Sequence, residues 1–491
     1  MRPDSSAALR FTAAVALRRG LLVLLLICGV GLLVSTPSGE ACAAQDAATR
    51  AEKLLSPYVA RGLKASVLMV DAAGRALFSH DSREALVPAS LAKIAVVAAC
   101  LDHLPEDFEL RTRLYAAGRV ENGVLRGSLV VVGEGDVGID HRMDAPEKVF
   151  ARWAEAVVKA GIRRVEGDLL LDATRFSDRG TPPGYPPELV GLSYAAPVSA
   201  LSVDGSTLKV SVSGTKPGRP AKVVVVPAGG ARVRNKLVTT AVKKSHLVHI
   251  QTGEDGVLVR GRCWSKVRGR TFRAPAPRPA RVFGLLLAGA LAKAGVTLDG
   301  DLREATDAPD LSEAVLLAEH RTPLTKALAV MMRESVNVYA DTLLQVLALA
   351  KTGRGSFSAG LRLLRRTLAR AGARDAELEN GSGLSRKSLM SAADCVALLR
   401  FIARRRRPDS LLAAPGEGTL RRRFRRPPLK NALHAKTGHL RSVNAVAGTL
   451  RCRRGTVYFA IVFNNTGGFR SCGLHALQEK LLGLFLEDGG G

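Results

Sequence analysis

The pattern of hydrophobic and polar positions sets the N-terminal segment apart from the rest of the 491-residue chain. An apolar run from Leu21 to Val34 follows four arginines and precedes the small-residue sequence ACAAQ, an order typical of a secretory signal. Because the run is short for a bilayer span, the pattern favours cleavage near Ala43 or Ala44 over an uncleaved anchor. We therefore expect a signal peptide over residues 1–43 and an exported protein of the periplasm or cell envelope.

The next stretch carries the patterns of a helix, two strands and a second helix. Helical periodicity over residues 47–58 is followed by the strand-like runs ASVLMVDA and RALFSHD, with turn residues between them. Pro88 then precedes a long apolar stretch rich in alanine, which predicts a helix that begins at this proline. We therefore expect Ser90 at the positive end of a mostly buried helix.

The period of the hydrophobic pattern differs between the centre and the C-terminal part of the chain. Residues from about 104 to 319 contain many strand-like runs punctuated by glycine and proline, which predict a β-rich insertion in one piece or two. Helical periodicity returns from about Pro323 and continues through the segment MMRESVNVYADTLLQVLALA. Three strand-like runs, LHAKTGHL, NAVAGTLRC and TVYFAIVFNN, precede a final amphipathic helix from His475 to Leu486.

The charge balance is strongly basic. The 72 basic and 44 acidic side chains give a net charge of +28, which attracts polyanions such as nucleic acid, anionic lipid and acidic cell-wall polymer. The predicted export argues against nucleic acid as a binding partner. The densest basic stretches, 403–408 and 419–428, contain no interleaved aromatic residue except Phe424, which favours a solvated basic face.

The seven cysteines show neither a repeated short spacing nor the histidine pairs of a zinc site. Export would permit disulfide bonds, but the spacing fixes no pairing. The sequence therefore implies no metal and no organic cofactor.

Three short motifs occur in one order along the chain, and together they carry the candidate chemistry. They are Ser90-Leu91-Ala92-Lys93, Ser335-Val336-Asn337 and Lys436-Thr437-Gly438. Each motif alone is weak evidence for an active site, because each also has a purely structural interpretation: a capping serine, a solvated lysine or a surface strand. Their order and their placement on predicted elements favour a site.

The first two motifs supply groups for nucleophilic catalysis. Positions three apart on a helix share a face, so the Lys93 amine can reach the Ser90 hydroxyl. Burial among apolar residues and a nearby cation such as Lys436 would lower the pKa of Lys93, and a neutral amine can take the serine proton. Ser335 can then relay a proton towards the leaving amine, and Asn337 can bond the substrate amide.

The third motif lies on a predicted strand bounded by Gly438, where the absent side chain lets a substrate backbone lie close. We expect Lys436 and Thr437 to face a bound carboxylate. An oxyanion hole needs two backbone N–H groups, and those of Ser90 and His439 are the natural donors.

This motif set resembles that of penicillin-binding proteins and serine β-lactamases. More closely, the chain resembles the class C low-molecular-mass penicillin-binding proteins, the D-alanyl-D-alanine carboxypeptidase/endopeptidase family that includes penicillin-binding protein 4. The resemblance extends to VPASLAK and to the segments 122–136, 194–206, 334–344, 380–392 and 416–423. The family also has a large insertion, which accounts for the 245 positions between Ser90 and Ser335.

The resemblance implies an α+β fold with a serine β-lactamase/transpeptidase-like domain, in which helices flank an antiparallel sheet. Residues 44–103 and 320–491 would form this domain, and residues 104–319 the β-rich insertion. Position by position, it implies Ser90 as nucleophile and Lys93 as base. Ser335, Asn337 and Lys436 would complete the catalytic set, and Thr437, Gly438 and His439 would bind substrate.

Three positions depart from the family pattern. His439 replaces the small hydroxyl residue that commonly follows the KTG triplet, a change expected to crowd the site or to alter carboxylate recognition. Asn380 stands where a DGSGLSR pattern would have Asp, and GEGDV replaces the more usual GDP ending. None of these changes removes a catalytic atom.

The function that the resemblance implies is hydrolysis of the terminal D-Ala-D-Ala bond of peptidoglycan, and of peptide cross-links, through an acyl-enzyme on Ser90. The implied partners are peptidoglycan stem peptides, β-lactams as covalent inhibitors, and an anionic membrane or cell-wall polymer as a peripheral contact, with no nucleic acid. Two alternatives remain. A serine β-lactamase is disfavoured because no Glu-x-x-Leu-Asn element is found, and a non-catalytic cell-wall scaffold is favoured only by His439.

Overall fold

The computed structural model describes residues 39–254, 256–453 and 455–487. Its helices, numbered in chain order, are α1 (Gly39–Val59), α2 (Ala92–His103), α3 (Pro146–Lys159), α4 (Pro279–Lys293), α5 (Leu324–Glu334), α6 (Asn337–Thr352), α7 (Phe357–Ala371), α8 (Ala392–Ala403), α9 (Leu429–Ala432) and α10 (Ser471–Glu487). The strands are β1 (Lys64–Val70), β2 (Ala76–His80), β3 (Glu109–Glu121), β4 (Val124–Gly133), β5 (Arg164–Val165), β6 (Leu169–Asp172), β7 (Thr207–Ser213), β8 (Lys222–Val226), β9 (Val233–Thr240), β10 (Leu247–Gly253), β11 (Gly256–Trp264), β12 (Arg270–Pro275), β13 (Thr297–Leu298), β14 (Leu302–Glu304), β15 (Val315–Pro323), β16 (Leu433–Leu440), β17 (Val443–Cys452) and β18 (Gly455–Asn464).

The predicted signal peptide lies outside the described residues, apart from its last five positions, with which α1 begins. Within the described ranges, none of the helices has the length and the apolar character that a membrane crossing requires. The five cysteines whose side chains the structure describes, at positions 100, 263, 395, 452 and 472, are free thiols.

The two ends of the chain meet in one five-stranded antiparallel sheet of order β16-β17-β18-β1-β2. The β1–β18 pair joins them, in register from Lys64 with Asn464 to Val70 with Tyr458. The first eight residues of β17 are buried, as expected for a strand whose sheet is covered on both faces. Helix α8, backed by α2, packs on one face, and α1 and α10 pack on the other. The predicted antiparallel sheet flanked by helices is confirmed.

Helix α2 is apolar all round because it lies at the centre of the core. All ten residues from Ala92 to Leu101 are buried. The helix begins at Ala92 and not at Pro88 as predicted, because a 3₁₀ turn over Ala89–Leu91 precedes it, closed by the Leu91 N–H on the Pro88 carbonyl at 3.2 Å. This turn contains Ser90.

The chain between α2 and α5 forms three further sheets. A seven-stranded sheet contains β3, β4 and β15 with the short strands β5, β6, β13 and β14, and two three-stranded sheets have the orders β10-β11-β9 and β12-β7-β8. The β-rich character predicted for this region is confirmed. Helices α3 and α4 within it were not predicted. They pack against each other through the rings of Phe150 and Phe283, whose centroids are 4.9 Å apart.

The helical segment predicted across the second motif is two helices, α5 and α6. Ser335 ends α5 in the left-handed region, with φ 57° and ψ 41°, and Val336 is extended before α6 begins at Asn337. The apolar periodicity continues on both sides of this break, so the sequence pattern does not reveal it. The break turns the side chains of Ser335 and Asn337 out of a continuous helical surface.

Candidate active site

The buried amine of Lys93 is the centre of the site. Its Nζ atom lies 3.0 Å from Ser90 Oγ, 2.7 Å from Asn337 Oδ1 and 2.7 Å from the Ser382 carbonyl oxygen. These are three acceptors for the three protons of a charged lysine. The Lys93 side chain is fully buried, so it has no contact with bulk water. The first two predicted motifs therefore meet at one nitrogen atom.

The surroundings of Lys93 make its neutral form accessible near neutral pH. Burial lowers the pKa of Lys93 to about 7, against the opposing effect of the Asp341 carboxylate. Asp341 is itself fully buried on α6, and its carboxylate accepts a hydrogen bond from the Tyr185 hydroxyl at 2.7 Å. Burial raises the pKa of Asp341, and the hydrogen bonds that it accepts oppose this rise.

Lys436 occupies a second buried position next to the first. Its Nζ atom donates to Ser335 Oγ at 2.8 Å and to the Thr437 carbonyl at 2.8 Å. Burial lowers the pKa of Lys436 well below its ordinary value, and repulsion from Lys93 acts in the same direction. The second and third motifs therefore meet at this nitrogen atom.

Asn337 connects the site to the long segment 174–206 that follows β6. Its Oδ1 atom accepts from Lys93, and its Nδ2 atom donates to the Tyr194 carbonyl at 2.8 Å. The same segment places the Tyr185 hydroxyl on Asp341. This segment between β6 and β7 thus supplies one wall of the site.

Strand β16 passes close to the turn that contains Ser90. Gly438 lies within this strand, paired with Ala445, and does not bound it as predicted. A Cβ atom at Gly438 would lie 2.6 Å from the Pro88 carbonyl oxygen, so the close approach requires glycine. Successive side chains of a strand point to opposite faces, which places Thr437 and His439 on the face away from the Lys436 side chain.

The outer edge of β16 presents backbone donors. The Ala435 N–H bonds across this edge to the Ala413 carbonyl at 2.9 Å. Residues opposite each other in antiparallel strands alternate between bonded and non-bonded pairs, so the N–H of His439 points to the same edge as that of Ala435. The edge lies beside the Ser90 turn, because Gly438 touches Pro88.

Four residues near Lys93 were not predicted. The buried Asp341 carboxylate accepts the backbone N–H groups of Gly381 at 2.7 Å and Ser382 at 3.2 Å, and so orients the Ser382 carbonyl towards Lys93. The fourth residue is Tyr185, whose hydroxyl donates to the Asp341 carboxylate. One signal was available: Asp341 follows Asn337 by one helical turn inside an apolar run, a position typical of a buried functional carboxylate.

Comparison with known proteins places the chain in a family. Residues 51–476 match the model of the D-Ala-D-Ala carboxypeptidase 3 (S13) family. The D-alanyl-D-alanine carboxypeptidase of Actinomadura sp. strain R39 is 30% identical over 439 residues, which cover 85% of this chain and 80% of that protein. The crystal structure of penicillin binding protein 4 (dacB) from Haemophilus influenzae has a TM-score of 0.76 at 22% identity, covering 89% of this chain and 99% of that chain.

The same Haemophilus influenzae protein complexed with a novel β-lactam gives a TM-score of 0.72 at 21% identity, with 89% and 99% of the two chains covered. The predicted fold class and the predicted enzyme class, a serine-type D-Ala-D-Ala carboxypeptidase, are both confirmed. The chain belongs to the D-Ala-D-Ala carboxypeptidase 3 (S13) family.

Proposed function

We propose that this protein hydrolyses the terminal D-Ala-D-Ala bond of peptidoglycan stem peptides through an ester on Ser90. The observation that carries this proposal is the 3.0 Å contact of the Ser90 hydroxyl with a buried lysine amine whose pKa is about 7. An amine with this pKa is about half neutral at pH 7 and mostly neutral above it, so it can act as a general base.

In acylation, the Ser90 oxygen attacks the carbonyl carbon of the penultimate D-Ala while its proton moves to Lys93. The carbon–nitrogen bond then breaks, and the leaving amine takes a proton from the Ser335 hydroxyl, which Lys436 re-supplies. The proton that came from Ser90 then moves from Lys93 to its neighbour Lys436, which restores both amines. D-Ala leaves as the amine product. In deacylation, neutral Lys93 takes a proton from the attacking water and gives it to the Ser90 oxygen as the ester bond breaks, so the acid product forms and the Ser90 hydroxyl is restored.

Backbone and side-chain donors on β16 complete the proposed site. The N–H groups of Ser90 and His439 would stabilise the oxyanion of each tetrahedral intermediate. Thr437 and His439, which share one face of β16, would bind the C-terminal carboxylate of the substrate, where a histidine replaces the usual small hydroxyl donor. Lys436, on the opposite face, would act through its hydrogen bond to Ser335. Gly438 leaves room for the substrate backbone along the strand.

We extend the proposal to other substrates that the same chemistry would cleave and to the location of the protein. A cross-link between stem peptides is also an amide of D-Ala, so the same site would cleave it with the amine of a diamino acid as leaving group. A β-lactam ring is an amide whose carbonyl would acylate Ser90. We also propose export to the cell envelope, where these substrates occur, and an inserted unit over residues 104–319.

Labelled penicillin tests the proposal on the folded protein. The label should appear on Ser90 by mass spectrometry of peptides, and Ser90→Ala should carry none. Ser358→Ala, at an exposed serine of α7, is the matched control and should be labelled like the wild type. Absence of label in the folded wild-type protein would overturn the proposal, and rapid release of hydrolysed penicillin would favour a β-lactamase.

A further inference from the structure

A polar cavity of about 190 Å³ opens beside the second motif. Ser335 and Asn337 line it on one side, and Arg142 and Arg273 of the insertion line it on the other. Ser335 is the group proposed to protonate the leaving amine. The cavity therefore lies on the side of the site from which the leaving group departs.

Arg142 is held in place by a buried carboxylate. Its Nη1 atom lies 2.8 Å from Asp140 Oδ2, and its backbone N–H donates to Asp140 Oδ1 at 2.8 Å. Asp140 is fully buried, whereas the Arg142 side chain is 30% exposed. A guanidinium has five N–H donors in a rigid fork, so this pairing leaves donors directed elsewhere.

Arg273 on β12 has no ion-pair partner within the part of the chain that the structure describes. Its Nη1 atom donates to the backbone carbonyl of Asp204 at 3.3 Å. The Asp204 carboxylate is already engaged, since it lies 3.0 Å from the His141 backbone N–H and 2.6 Å from His141 Nδ1. The remaining carboxylate at the cavity belongs to Glu334, which is exposed. A half-buried guanidinium without a counter-charge favours an anionic ligand.

We propose that Arg273 and Arg142 bind a carboxylate of the peptide strand that leaves when a cross-link is cleaved. This inference rests on the proposed function and names the leaving-strand subsite of the same site. Free D-Ala, the leaving group of the carboxypeptidase reaction, has one carboxylate, and Thr437 and His439 would bind it. The leaving strand of a cross-link carries a diamino acid and further carboxylates, which extend beyond the position that free D-Ala would occupy.

The size of the cavity fits this role. A volume of about 190 Å³ is many times the space that a single water molecule needs, so it is enough for a carboxylate and part of a side chain. Guanidinium groups bind carboxylates in a bidentate geometry, which fixes the orientation of the ligand and also neutralises its charge. The two arginines would thus make cross-linked peptide the better substrate of the site.

Kinetics on two substrates test the inference: a monomeric stem pentapeptide ending in D-Ala-D-Ala, and a cross-linked stem-peptide dimer. Arg273→Gln should lower the ratio of kcat/KM for dimer to kcat/KM for monomer by about tenfold, as expected for loss of one charge-assisted hydrogen bond. Arg270→Gln is the matched control, because positions three apart on β12 point to opposite faces. It should leave the ratio at the wild-type value.

A dimer whose leaving-strand carboxylates are amidated gives a second measurement. The wild type and Arg273→Gln should cleave this dimer at equal rates, because the proposed ionic contact is absent. An unchanged ratio for the acidic dimer, or an equal loss for acidic and amidated dimers, would overturn the inference. Failure of the wild type to take up labelled penicillin would instead overturn the proposed function.

Discussion

The side-chain amide of Asn380 donates a hydrogen bond to the Pro183 carbonyl at 2.9 Å, across 197 positions of the chain. The amide oxygen of the same side chain accepts from Ser382 Oγ at 3.1 Å and from the Gly383 N–H at 2.9 Å. Asn380 is fully buried and links the wall segment 174–206 to the turn that contacts Lys93. This residue is one of the departures from the family pattern, which has Asp here.

Asn380→Asp should destabilise this protein although the two side chains have the same shape. A carboxylate cannot donate to the Pro183 carbonyl, and two oxygen atoms would face each other in a buried position. The expected loss is about 2 kcal/mol in the free energy of unfolding, measured by denaturant titration near neutral pH. Asn431→Asp, at an exposed position, is the control and should change it little. Equal stability of the Asn380→Asp variant and the wild type would show that this bond contributes nothing.

The rate of acylation by penicillin should rise with pH. Lys93 takes the serine proton only when neutral, and its pKa is about 7, so the rate is low below this pH and reaches a plateau above it. The second-order rate constant of labelling, measured from about pH 5.5 to about pH 8.5, should follow a single titration with this midpoint. A constant rate, or one that falls over this range, would exclude Lys93 as the base.

Asp341→Asn should move that midpoint to lower pH. The Asp341 carboxylate raises the pKa of Lys93 by attraction to the ammonium form, so its removal makes the neutral amine available in more acidic solution. The asparagine keeps an oxygen atom for the N–H groups of Gly381 and Ser382. The same pH series of labelling rates measures the shift.

The control for this shift is Asp172→Asn, at a buried carboxylate of β6 that accepts from Thr174. It should leave the midpoint of the labelling profile in place. A midpoint that stays at the wild-type value in Asp341→Asn, or rises, would show that Asp341 does not act on the charge of Lys93.

Part of the site follows from local sequence alone. Helical spacing predicts that Lys93 reaches Ser90, and the structure gives 3.0 Å, although Ser90 itself lies in a 3₁₀ turn. The meeting of Lys436 with Ser335 depends on the β16–β17 register and on the break between α5 and α6. Neither feature has a periodic signal, so this contact was not predicted; the resemblance to a family implied only that the two residues belong to one site.

The fold, like the site, was predicted only in part from the sequence. Strand-like runs predicted the strands at the two ends of the chain, and the resemblance to a family implied the antiparallel sheet that they form. Helices α3 and α4 were missed in a region that was predicted to consist of strands. The backbone contacts of the wall segment 174–206 were also beyond sequence reasoning. Its bonds to Asn337 and Asn380 come from main-chain carbonyls, which every residue type has, so no residue identity records them.

Gly438→Ala tests the close approach of β16 to the serine turn. The added methyl group would lie 2.6 Å from the Pro88 carbonyl oxygen and 3.3 Å from Ala89 Cβ, so the strand and the turn must separate. We expect acylation by penicillin to slow by at least about tenfold, because a displacement near 1 Å misaligns the hydroxyl and the oxyanion donors.

The control for this substitution is Gly483→Ala, on α10, where an added Cβ meets nothing within 4 Å. This variant should be acylated at the wild-type rate, and alanine in a helix should not lower its stability. Circular dichroism and the free energy of unfolding show whether Gly438→Ala is folded when its rate is measured. A folded Gly438→Ala protein that is acylated as fast as the wild type would mean that the approach of strand and turn does not position Ser90, because the methyl group cannot fit without moving one of them.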